Sequence, residues 1–278
     1  MKAAFVFTSL LLPLVASAQQ TVIPTPPITY HVGIKKAPLY HKADTTSKPS
    51  LFIPSLGEVT VVGQALPNWV VVKHEGFSYF TPVRLLSDYD PSDADPIPID
   101  PQTNLITYEG VVPVPGASKA DLYARAQAWA TRTYNLANAE ITQQPSQDPE
   151  TSELLIKGKR PAVVRNTYNN VLRSTYAGVV HHTLTIYVKD GRYKYILSDL
   201  THDAAGTANI KSGGPLEQDK ANLFGYVGLG STKPWRDLKV EATRDVRHLV
   251  ADLQAAMTLT AATPPTPAPK AKKAASDF

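Results

Sequence analysis

Cysteine is absent from all 278 residues. That excludes a disulfide framework, thiolate-built structural zinc, every thiol nucleophile and the acylated cysteine that anchors a lipoprotein. Long hydrophobic runs are missing too. The longest, Ala3 to Val15, is too short to span a bilayer, and nothing later approaches the ~20 apolar residues a membrane helix needs. Charge of one sign is scarce: 28 Lys and Arg stand against 24 Asp and Glu, and removing Lys2 with a leader leaves 27 against 24, or +3. A surplus that small is no polyanion footprint, so nucleic acid is not an expected partner.

Several catalytic signatures are also lacking. No Gly-x-Ser-x-Gly occurs, which removes the nucleophile elbow. Seven histidines are present, none at His-Glu-x-x-His or another close ligand spacing. His181 and His182 point to opposite faces if they lie on a strand, so they cannot share an ion. Gly225 to Lys233 has the glycines of a phosphate loop in the wrong order, with Lys233 after the hydroxyls and before Pro234. Asp88, Asp90, Asp93, Asp95 and Asp100 fail the calcium-loop pattern, since Asp93 stands where Gly is required and Ile99 where Glu is required. The expectation is a solvated Asp/Pro linker and no metal or cofactor. His202-Asp203 is the one candidate for a base with its orienter, and no nucleophile motif accompanies it.

What is present gives an address and a plan. Met1-Lys2, the apolar run and Ala16-Ser17-Ala18 have the order of a secretory leader cleaved after Ala18. The expected location is periplasmic or extracellular. Proline clusters then cut the chain into a leader at 1–18, a Pro-rich linker at 19–27, a first folded unit at 28–87, a linker at 88–103, a second unit at 104–259 and a Pro/Ala/Lys tail at 260–278. At about 60 residues the first unit is near the lower limit for an independent domain, while the second, at about 155, can bury a substantial core.

In the first unit, short apolar runs meet at Gly57, Gly63 and Gly76 with no helical period, which reads as a small all-β barrel or roll. Gly57 before Val59-Thr60-Val61-Val62, Asn68-Trp69 opening the next run, and Gly76 before Phe77-Ser78-Tyr79-Phe80 resemble the bacterial SH3-like domain over Leu39 to Leu86. Ser78 departs from a common Gly and Tyr79 from a Trp. The resemblance implies cell-wall or peptide binding and makes Trp69, Phe77 and Tyr79 candidates for a shallow aromatic groove. In so small a unit the same rings are needed to fill the core.

The second unit opens with an edge-type strand, Leu105 to Val114, carrying Pro113. Ser118 with Asp121 three residues on is a capping-box variant, followed by a helical stripe of Leu122, Ala126, Trp129 and Leu136. Glu153 to Lys159 reads as a strand, and Tyr168 to Arg173 as a weaker one. Asp190-Gly191, flanked by His182 to Lys189 and Arg192 to Leu200, predicts a two-residue type I′ hairpin. Leu184, Ile186, Val188, Tyr193, Tyr195 and Leu197 then share a face that must be covered, leaving Tyr187 on the wetter one. A last helix after Pro234 runs to about Met257, with Leu238, Ala242, Val246, Leu249, Val250, Leu253 and Met257 on one side.

The string Val112-Pro113-Val114-Pro115-Gly116-Ala117-Ser118-Lys119-Ala120-Asp121-Leu122-Tyr123, with Ala128-Trp129, Lys157-Gly158-Lys159 and Tyr187 to Tyr195, resembles an exported bacterial domain of unknown function with a TBP-like fold. The resemblance covers most of Tyr108 to Asp203. It implies an α+β domain, a curved antiparallel sheet packed against two helices, and brings no catalytic residues. The combined expectation is an exported non-enzymatic binding or cell-envelope interaction protein of unknown ligand, its partner an envelope component such as a cell-wall peptide or glycan. The alternatives are an envelope-directed hydrolase centred on His202 and a structural component of an envelope assembly. Tyr187 joins the three aromatics as a weak ligand-binding candidate.

Overall fold

The structure is a computed structural model, and it describes residues 22–65, 68–134, 137–144, 148–169, 171–224 and 232–258. Ala18, Leu136, the glycine loop at 225–231 and the tail from 259 lie outside the described residues. The chain divides into two compact units, the first comprising residues 1–94 with 166–173, the second 95–165 with 174–278.

The first unit is all β. Strands β1 (Val22–His31), β4 (Glu58–Ala65), β5 (Trp69–His74) and β6 (Phe77–Pro82) form a sheet in the order β1-β4-β5-β6, and β2 (Ala37–Leu39) pairs β3 (Leu51–Ile53). β1 corrects the expected linker at 19–27. Pro24, Pro26 and Pro27 are tolerated in a strand because β1 is a sheet edge, and its register slips between Pro24 and Ile28. The Asp/Pro segment is likewise not simply solvated. Asp93 is buried and accepts from the Tyr30 hydroxyl at 2.9 Å, and Asp88 accepts from His31 N at 2.8 Å and lies 2.7 Å from its Nδ1. Carboxylates placed this way replace the hydration that burial removes.

The second unit is α+β. After β7 (Tyr108–Pro113) comes α1 (Lys119–Thr133), then β8 (Ala139–Gln144), β9 (Ser152–Tyr168), β10 (Val171–Lys189), β11 (Arg192–Asp203), β12 (Gly214–Pro215) and α2 (Thr232–Thr258). The sheet runs β12-β11-β10-β9-β8, with β7 also on β11. All pairings with a described register are antiparallel. β8 and the full lengths of β9 and β10 were not expected. β9 runs on through Pro161, and β8 pairs β9 only over Glu153–Gly158. Beyond that span the missing N–H leaves no ladder bond unmade on the β8 side.

At the hairpin the expected partners meet: Val188 with Tyr193, Ile186 with Tyr195 and Leu184 with Leu197. All six are buried. The turn itself differs, because Gly191 alone of the central pair has positive φ, at 72°. Asp190 has another task. Its Oδ1 accepts from Lys119 N at 2.6 Å, Gly191 N donates to Ala117 O at 2.9 Å, and Val114 N donates to Gly191 O at 2.8 Å, tying the turn to the start of α1. Ser118 caps the same helix, accepting from Asp121 N at 3.1 Å.

Leu122, Ala126 and Trp129 of α1 and Leu238, Val246, Leu249, Leu253 and Met257 of α2 join the inner sheet face in one core. The helices also join each other. Trp129 Nε1 donates to Asp252 Oδ2 at 2.8 Å, and Arg125 donates to the Met257 carbonyl at 2.8 Å. α2 begins a little before the expected start, at Thr232, so Pro234 sits in the first helical turn, where its missing N–H has no intrahelical partner to lose.

Candidate functional site

Sequence reasoning placed a possible base at His202-Asp203. Strict alternation from Tyr193, Tyr195 and Leu197 would put His202 on the outer face, but a bulge intervenes. The β10–β11 register shifts between His181 and Thr183, and Asp199 takes φ 59°. Parity therefore reverses, and Leu200 and His202 turn inward. His202 Nε2 donates to the Ala177 carbonyl at 2.7 Å, while Nδ1 accepts from Gly213 N at 2.9 Å. Both nitrogens are consumed by backbone. Asp203 is elsewhere, accepting from Ser212 at 3.0 Å and lying 3.6 Å from the exposed His181. The proposed base and orienter are a structural histidine and a surface carboxylate.

The first unit also separates its candidate aromatics. Trp69 pairs with Pro82, Tyr79 with Val72 and Phe77 with His74 in one uninterrupted register. Since side chains alternate sides, Trp69 lies on the opposite face from Tyr79 and Phe77. Trp69 packs edge-on against Tyr40 with centroids 5.6 Å apart, Tyr79 is 7% exposed, and Phe77 is 68% exposed. No shared groove results. Tyr187, half-buried on the outer sheet face, lines an open depression with Val111, Lys189 and Lys194. Among the described residues no group of three or more His, Asp or Glu is placed to hold a metal ion.

A cleft that no sequence motif announced lies between the sheet and α2. It has a volume of about 130 Å³. β9 contributes Arg160, Ala162 and Arg165, β10 Val180 and His182, β11 Leu200, and α2 Leu238, Glu241, Ala242, Asp245, Val246 and Leu249. Leu238, Ala242, Asp245 and Leu249 recur at three- and four-residue intervals, so one face of α2 supplies both the apolar wall and a carboxylate. Glu241 is held between two guanidinium groups, 3.1 Å from Arg165 and 3.1 Å from Arg244. Leu200 reaches the cleft only because of the Asp199 bulge.

His182 closes the inner end. Burial, then the positive charge of Arg160 and of His181, lowers its pKa to about 4. The Tyr134 hydroxyl, whose own ionisation burial opposes, is hydrogen-bonded to Nε2 at 2.7 Å. A proton on the unfolded chain binds His182 at about 6.5, whereas the folded chain takes it only near about 4. Between those values the unfolded state holds more protons, so stability falls as pH drops through the window, by on the order of 3 kcal/mol. Urea denaturation of the wild type and His182→Gln at neutral pH and near pH 4.5 measures this. The wild type should lose a few kcal/mol more than the variant over that interval, and parallel losses would contradict the assignment.

Residues 108–203 match the family model for the domain of unknown function (DUF4468) with TBP-like fold. Two solved structures are similar. A TBP-like protein from Parabacteroides distasonis is 16% identical, with a TM-score of 0.41 over 58% of this chain and 96% of that one. A DUF4468 family protein from Bacteroides ovatus is 18% identical, with a TM-score of 0.38 over 60% of this chain and 94% of that one. No curated protein matches the chain.

Proposed function

Since residues 108–203 are a DUF4468 domain with a TBP-like fold, we propose that this protein is an exported, non-enzymatic binding protein of the cell envelope whose ligand enters the cleft beneath α2. The observation that carries the reading is the lining of that cleft. Its lining combines apolar side chains with Arg160, Arg165, Glu241 and Asp245, and no Ser, Thr, Tyr or Cys contributes to it. Acyl transfer through a protein nucleophile needs a hydroxyl or thiol beside an activating base. Here the buried base, His182, is kept neutral and bonded to Tyr134. His202, the candidate site of the hydrolase alternative, has both ring nitrogens bonded to backbone groups, which favours the binding reading. Fold-level likeness to a DNA-binding fold adds nothing, because function resides in the site.

Export is supported by the leader-like start and by a chain with no cysteine. No helix among the described residues is long and apolar enough to cross a membrane. The first unit is read as SH3-like, supported by its all-β composition and the 3₁₀ turn at Val83–Leu85 after β6. Intact-mass measurement on secreted protein should give a chain starting at Gln19, and retention of residues 1–18 would remove the export reading.

Ala242→Leu narrows the cleft without adding charge, because Ala242 lies on its α2 wall. Native mass spectrometry of protein purified gently from the envelope fraction should show a small-molecule adduct on the wild type that this variant lacks. An identical adduct on both would place the ligand elsewhere.

A further inference from the structure

The charges in the cleft do not balance in place. Glu241 is neutralised by Arg165 and Arg244. Arg160 is not matched in this way: its Nε is buried without a hydrogen-bond partner, and among the described residues Arg160 forms no ion pair. A guanidinium cannot shed its proton to relieve that cost. Asp245, half-buried on α2, also lines the cleft and makes no hydrogen bond or ion pair among the described residues. One unmatched cation and one unmatched anion therefore border a single apolar space formed by Val180, Leu200, Leu238 and Leu249.

That combination has a chemical complement. We infer that the cleft binds an α-amino acid with an aliphatic side chain, its carboxylate on Arg160, its ammonium on Asp245 and its side chain against the apolar wall. A guanidinium meets a carboxylate through paired N–H donors, which gives orientation as well as strength. Size restricts the class. A cavity near 150 Å³ accommodates a benzene-sized group, so a space of about 130 Å³ admits a valine- or leucine-sized side chain. Ligands of drug size need several hundred Å³. Arg160 also contributes to holding His182 neutral, so the inner end of the cleft offers no second cation to compete for the carboxylate.

This inference rests on the reading of the cleft as a binding site, and the test separates the two. Isothermal titration calorimetry of the mature full-length chain compares L-leucine with N-acetyl-leucine, which lacks the ammonium, and leucinamide, which lacks the carboxylate. Leucine should bind, and each analogue should bind at least tenfold more weakly. Asp245→Asn, nearly isosteric at this half-buried position, should bring leucine and N-acetyl-leucine within about twofold of each other. Arg160→Met should do the same for leucine and leucinamide, with circular dichroism confirming its fold.

Equal binding of all three ligands by the wild type would overturn the inference. So would absence of heat with leucine at millimolar concentration while ¹²⁹Xe NMR detects xenon in the cleft and Ala242→Leu abolishes that signal. In that second case the cleft remains a binding site for another ligand class. If neither leucine nor xenon enters, the inference and the reading beneath it both fall.

Discussion

Trp129→Ala lowers the stability of the second unit by about 3–5 kcal/mol, the usual cost of deleting a large buried aromatic. For a unit of this size that is roughly 10 °C in Tm. Trp129 is 1% exposed, stands among the core residues of α1 and reaches across to α2 through its bond to Asp252. Its ring also meets Tyr134 edge-on with centroids 6.0 Å apart, and Tyr134 carries the hydroxyl bonded to His182. Truncation thus removes transfer energy, leaves a cavity and loosens the support of the cleft's inner end. Trp129→Phe keeps most of the volume and loses chiefly the hydrogen bond. Because Asp252 is half-exposed and can turn to water, that variant should lose only about 1 kcal/mol beyond repacking. Differential scanning calorimetry on both variants checks the ordering, and equal losses would mean that the hydrogen bond rather than the ring joins the helices.

Gly178→Ala is the second large effect. Gly178 has φ +108°, which L side chains rarely adopt, and a Cβ there would overlap the carbonyl oxygen of Asp203. Backbone strain and backbone overlap together cost on the order of 3 kcal/mol. Gly191 isolates the first contribution. It has φ +72° with nothing within 4 Å of an added Cβ, so Gly191→Ala should cost about 1 kcal/mol. The close approach at Gly178 lies beside the Ala177 carbonyl that binds His202, so the Ala variant should also increase amide exchange at Gly213, which donates to His202. Stability and exchange unchanged in Gly178→Ala would show that β10 and β11 do not approach this closely.

Much of the second unit was legible because local chemistry and periodicity agreed. Ser118 caps α1, the Asp190-Gly191 loop sets the register of Leu184, Ile186 and Val188, and the α2 stripe buries as its spacing requires. The strand lengths were not legible. Pro161 and the polar stretch at 143–149 are breakers by composition, and only the place where β8 stops makes Pro161 harmless. Nor did composition reveal the bulge at Asp199, which turns His202 into the core, where alternation alone would have put it on the outer face.

The cleft was the least legible feature. Arg160 and Asp245 are far apart in sequence, sit on different elements and belong to no motif, so nothing but the packing of α2 over β9 and β10 brings them to one space. Trp235, fully buried in the first turn of α2, did carry a signal. Its spacing to Leu238 and Ala242 matches the helical stripe. The aromatic trio of the first unit misled because residue type was visible and strand register was not: one position of parity separates Trp69 from Tyr79 and Phe77.

The central claim is that the second unit binds a ligand under α2 and not on its open sheet face. Methyl-selective NMR of the full chain, titrated with the low-molecular-weight fraction of the cells that produce it, tests it most directly. The account predicts shifts confined to the methyl groups of Val180, Leu200, Leu238, Val246 and Leu249, with Val111 and Ile196 on the outer face unmoved. Shifts centred on Val111 and Ile196, with the cleft methyls silent, would contradict it.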